Sequence, residues 1–165
     1  MRIYLLRHGI AEDGGPRTPD AKRELTVKGR SKLAGVLRLA RGAEVQPELV
    51  LSSPLVRAAQ TAEMAREILG VESPVQQTNA LLPEGSPQRV WEELRGLRNL
   101  DGVLLAGHEP LLSHLAAWLL GAPALQVHMT KAALVSIELD GFRGEPHGVL
   151  NWMVTPKVVN ASGAS

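Results

Sequence analysis

Ile3-Tyr4-Leu5-Leu6-Arg7-His8-Gly9 opens the chain directly after Met1-Arg2. Its apolar run breaks off at a cation, an imidazole and a glycine. A short, unbroken apolar run bounded in this way reads as a strand buried on both faces, the kind found at the centre of a parallel sheet. Two further segments repeat the pattern. Leu49-Val50-Leu51 is halted by Ser52-Ser53-Pro54, and Gly102-Val103-Leu104-Leu105-Ala106 ends at Gly107-His108-Glu109-Pro110. Helical spacing fills the intervals. Thr26 caps a helix to about Ala40, with Gly42 to end it, and Leu33, Val36, Leu37 and Ala40 share its buried face. Ser53-Pro54 opens a second helix through Arg57, Thr61 and Met64 to Leu69, where Gly70 stops it. A third runs from about Ser86 to Leu97, and Pro110 opens a fourth that reaches Leu120.

Val75-Gln76-Gln77 reads as a short strand. Ala132 to Leu139 and Val149 to Val154 alternate apolar and polar residues as two later strands, joined through Phe142 to His147. Glu12 to Glu24 is rich in glycine, proline and charge; a loop of that length commonly lies over a site. Strands alternating with helices give an α/β fold on a largely parallel sheet with right-handed crossovers. Residues 1–156 are expected to form one domain, and 157–165, small and polar, a flexible tail.

The formal net charge of +1 gives no reason to expect nucleic acid or an anionic membrane as partner, so any attraction for anions is local. The absence of cysteine excludes disulfides, thiolate metal sites and a cysteine nucleophile. The first apolar run is too short for a signal peptide, and Leu115 to Leu120 falls far short of a membrane span. A cytoplasmic location is the expectation.

Ligands of open α/β sheets bind at the carboxyl ends of the strands. Three strand ends deliver Arg7, His8, Arg57 and His108 to one rim. A phosphate carrying close to two negative charges needs such a surround, and the planar fork of arginine suits its oxygens. His114 lies in an apolar helix, and His128 and His147 stand away from these turns, which favours structural roles for all three. Trp91, Trp118 and Trp152 suit packing, since no basic run accompanies them.

Leu6-Arg7-His8-Gly9, Ser52-Ser53-Pro54-Leu55-Val56-Arg57-Ala58-Ala59-Gln60-Thr61-Ala62, Gly107-His108-Glu109-Pro110 and Asn151-Trp152-Met153-Val154-Thr155-Pro156 resemble the histidine phosphatase superfamily. Within it they are most similar to the small phosphohistidine phosphatases. The resemblance implies a three-layer sandwich and a metal-independent phosphatase without cofactor. It also implies that His8 is the nucleophile, that Arg7 and Arg57 bind the phosphoryl group, and that His108 stabilises the transition state. The same cations would hold His8 neutral by disfavouring a second positive charge. Related phosphomonoesterases use a glutamate near Glu84 to protonate the departing oxygen, so Glu84 is a further candidate; Thr130 and Lys131 stand near the rim. The implied substrate is a phosphorylated protein such as a histidine phosphotransfer domain, with a small phosphate ester as the alternative. Two other classes stay open. A metallohydrolase would use His8, His108 and Glu109, without the usual helical histidine spacing. An inactive phosphate-binding module would have no need of His8.

Overall fold

A computed structural model describes residues 1–16 and 18–163. Six strands form one mixed sheet in the order β3-β2-β4-β1-β5-β6. They are β1 (Arg2–Arg7), β2 (Leu49–Ser52), β3 (Gln76–Gln77), β4 (Gly102–Gly107), β5 (Leu134–Glu138) and β6 (Val149–Val154). β4 inserts between β1 and β2 and is parallel to both, and β3 is parallel to β2. The expectation of a largely parallel sheet holds for these four strands. β5 pairs antiparallel with β1, and β6 pairs antiparallel with β5, where the short connection between them turns the chain back on itself rather than crossing over.

Helices cover both faces, which is why the central strands are apolar without alternation. Ile3 and Leu5 of β1 pack with Val103 and Leu105 of β4 against α3 (Pro87–Gly96) and α4 (Leu111–Leu119). Tyr4, Leu6, Leu104 and Ala106 point the other way, against α1 (Val27–Gly42), α2 (Val56–Leu69) and α5 (Pro156–Ala161). The result is the expected three-layer sandwich. No helix among the described residues is long and apolar enough to cross a membrane.

Several boundaries differ from expectation for physical reasons. Gly42 is the last residue of α1, and Glu44, with φ of 57°, takes the left-handed conformation that follows. α2 starts at Val56, two residues after Pro54, with Leu55 as its N-cap. Gly70, at φ 75°, ends α2 as the sequence indicates. β5 starts only at Leu134, since Ala132 sits at φ 61° and cannot extend the strand. Residues 157–161, expected to fray, continue α5: Thr155 caps it, Pro156 is its first residue, and Val159 is buried against α1. Residues 164–165 of that expected tail lie outside the described residues.

The segment from Glu12 to Glu24 is also less open than expected. Ala11 bridges Leu25, Gly15 bridges Thr18, and Asp20–Lys22 form one turn of 3₁₀ helix. Thr26 caps α1 as read, its hydroxyl accepting from Gly29 N–H at 2.9 Å. A side chain at Gly29 would overlap the Ile10 carbonyl, so only glycine lets α1 press against the segment that follows His8.

Candidate active site

The first strand delivers His8 one residue past its end, and the neighbouring strands hold it there. Its N–H donates to Gly107 O at 3.0 Å, and the carbonyls of Arg7 and His8 both accept from Ala132 N–H at 3.1 Å. The ring is fixed by a second contact, with Nδ1 2.7 Å from Gly9 O. A carbonyl only accepts, so Nδ1 carries the proton and Nε2 keeps a free lone pair. The His108 ring lies 5.0 Å away, centroid to centroid, tilted by 51°.

Arg57 comes from the first turn of α2. Gly9 N–H donates to Thr61 Oγ1 at 3.1 Å, and Thr61 Oγ1 donates to Arg57 O at 2.7 Å, which ties the His8 turn to that helix. The guanidinium is buried and donates from Nη1 to Asp20 O at 2.8 Å and from Nη2 to Asp20 Oδ2 at 3.1 Å. Arg7 donates from Nη1 to Met129 O at 2.7 Å, while its Nε is buried without a partner among the described residues. His108 sits with Nε2 2.9 Å from Ser53 Oγ and has a buried Nδ1 that is likewise unpartnered. These are polar groups held out of water and incompletely satisfied, a costly arrangement unless something polar arrives.

The electrostatics agree. His8 is pushed down to about 4, first by burial and then by the charges of Arg57, Arg7 and Lys131, against the opposing Gly9 carbonyl. His108 is pushed down to about 3, again by burial first, with His8, Arg57 and Arg7 adding and Asp20 opposing. Cation repulsion was the cause expected from sequence; burial is the larger one. Burial also lowers Arg7, with Glu109 opposing. Two neutral imidazoles and two guanidiniums therefore share a desolvated pocket in which an anion would be strongly favoured.

The structure brings together His8, Arg7, Arg57 and His108, and places Lys131 close enough to act on His8. Glu84 is apart: it is exposed in the turn closed by Gly85 N–H on Leu82 O, and among the described residues it bonds to none of the four. His114, His128 and His147 are exposed and outside the cluster. No three histidine, aspartate or glutamate side chains among the described residues gather as a metal-binding group. Trp91 stacks on Phe142 at 4.8 Å and meets Trp118 edge-on, and Trp152 packs near Tyr4, as expected of structural tryptophans. Sequence reading missed Asp20, Ser53, Thr61 and Met129. Only Ser53 and Thr61 carried a signal, since both lie within the motif around Arg57.

Residues 3–82 match the family model described as histidine phosphatase superfamily, branch 1. The chain is 30% identical over 158 residues to phosphohistidine phosphatase SixA of Escherichia coli strain K12, covering 94% of each. A solved structure of the protein histidine phosphatase SixA complexed with tungstate superposes with a TM-score of 0.85 at 31% identity, over 96% of this chain and 99% of that one. The α-ribazole phosphatase from Shigella flexneri, at 19% identity and a TM-score of 0.73 over 94% of this chain and 97% of its own, shares the fold. The 30% identity to the Escherichia coli protein, sustained over 94% of each chain, shows that this protein belongs to the histidine phosphatase superfamily and is a phosphatase of that type.

Proposed function

We propose that the protein hydrolyses phosphohistidine on a partner protein, such as a histidine phosphotransfer domain, through a phosphohistidine formed on His8. The observation that carries this reading is the His8 ring: its proton is committed to Gly9 O, and its free Nε2 lies in a pocket with both arginines and His108. In the first step the Nε2 lone pair attacks phosphorus, the substrate's P–N bond breaks, and the departing imidazole nitrogen takes up a proton. Water then attacks the phosphorus on His8, releases inorganic phosphate and restores the neutral ring. Arg7 and Arg57 bind the equatorial oxygens, and His108 stabilises the charge spread over them. Arginine and imidazole occupy the places a metal would take, so the reaction runs without one.

The choice of substrate turns on the leaving group. An alkyl ester expels an alkoxide that needs a positioned acid, a contribution of ~10²–10⁴-fold. Imidazole, whose conjugate acid has a pKa near ~6.5, needs far less help. Glu84, exposed and unattached to the cluster, supports the second kind of substrate. The name of the Escherichia coli relative points the same way. The experiment is a panel of phosphohistidine protein, aryl phosphate and alkyl phosphate, each with and without chelator. The expected order of rates is as written, unaffected by chelator, and Glu84→Gln leaves the first rate within about twofold. A loss of phosphohistidine hydrolysis of ~10²-fold or more in that variant would make Glu84 a general acid and favour a small-ester substrate.

A further inference from the structure

We infer that Ser53 is a positioning residue that selects the Nδ1–H tautomer of His108, so that a neutral imidazole presents an N–H donor to the transferring phosphoryl group. This rests on the reading above for what the donor meets, though not for the tautomer itself.

Ser53 is fully buried where β2 passes into α2, and its backbone N–H is taken by Ala106 O at 3.1 Å. A hydroxyl has one hydrogen and two lone pairs. Leu55 N–H uses one lone pair of Ser53 Oγ, at 3.3 Å. Among the described residues, the acceptor within reach of the hydroxyl hydrogen is His108 Nε2, at 2.9 Å. A neutral ring that accepts at Nε2 must carry its proton on Nδ1.

Of the two ring nitrogens, Nδ1 is the one buried without a partner among the described residues. As an N–H it is an unsatisfied donor, which a phosphoryl oxygen would satisfy. The other tautomer incurs two penalties. Nε2–H would donate to Ser53 Oγ and strand the serine hydrogen in a dry pocket. Nδ1 would then turn a lone pair, rather than a hydrogen, toward an incoming anion. Arg7 Nε is the other buried side-chain nitrogen without a partner among the described residues, on the arginine that precedes His8. Donors fixed in advance where charge develops are worth most in such a site.

The test is nitrogen-15 spectroscopy of histidine-labelled protein, free and with orthovanadate, with His108→Gln used to assign the signal. The expected result is a proton on Nδ1 of His108 in the free protein, with that proton's resonance shifting when vanadate binds. Ser53→Ala should let the Nε2–H form, which free imidazole favours, become populated. It should also lower kcat by about tenfold or more with KM nearly unchanged. Ser53→Thr, which keeps the hydroxyl, should restore both the tautomer and most of kcat. A proton on Nε2 in the wild type overturns the inference, even where the variants fail to fold. So does a Ser53→Ala protein that retains the Nδ1–H form or full kcat. Because the spectrum is read without substrate, the tautomer stands or falls separately from the phosphohistidine reading.

Discussion

The two ends of the central sheet show opposite ways of arranging charge. Where β1, β2 and β4 begin, Arg2, Glu44, Glu48, Glu72, Asp101 and Glu138 surround a hollow of about 740 Å³. These side chains are all exposed to solvent. Where the same strands finish, the polar groups are nearly all out of water. His8, Ser52, Ser53, Arg57, Thr61 and His108 are each at most 6% exposed. An open, solvated hollow thus marks one end of the sheet, and buried polar groups the other. Desolvation makes the difference, because it depresses the imidazoles, strengthens the pull of the arginines on an anion and, among the described residues, leaves two nitrogens without partners.

The sharpest contrast comes from removing a charge at each end. Arg57→Ala should lower kcat/KM by about 10²–10³-fold, as expected for a group that binds transferring charge. Arg57→Lys should recover only part, since an ammonium cannot hold Asp20 and a phosphoryl oxygen with one planar fork. Steady-state kinetics on folded variants checks both.

A smaller effect separates the ends by pH. Unfolded histidine titrates near its ordinary value, whereas His8 and His108 refuse protons down to about 4 and about 3. Between about pH 6.5 and pH 4 the unfolded chain therefore binds more protons than the native one, and stability falls as pH falls. At about 1.4 kcal/mol per unit of depression, the loss by pH 4 is on the order of a few kcal/mol. Urea unfolding at several pH values should show it, and His8→Ala should flatten the slope. At the other end, Glu48→Gln with Glu72→Gln should leave kcat/KM within about twofold and stability within about 0.5 kcal/mol. A tenfold fall in activity there would mean that the hollow takes part.

The rim was legible because local sequence carries it. Strand ends and the residues that follow them are read from a few neighbouring positions, so Arg7, His8 and His108 stand out. Arg57 follows from its place in a helix that begins beside a strand end. What stayed hidden lies across long loops. Asp20 meets Arg57 from 37 positions away, and Ser53 meets His108 from 55. The late start of α2 has the same origin. A serine before proline normally caps a helix, but the Ser53 hydroxyl is engaged by His108 and Leu55, so the helix begins at Val56. Thr155-Pro156, by contrast, carries the same signature as Ser86-Pro87, and α5 was open to prediction. The small polar residues after it outweighed the cap. Antiparallel addition of β5 and β6 leaves no local trace beyond the short connection between them.

The most direct test of the account is to quench the enzyme with alkali seconds after mixing with phosphohistidine protein and map the label. The phosphoryl group is expected on His8, surviving base and lost in acid. No adduct, and a fall in turnover of ~10⁴-fold or more, are expected in His8→Ala. A label on any other residue, or near-normal turnover by His8→Ala, would contradict the account.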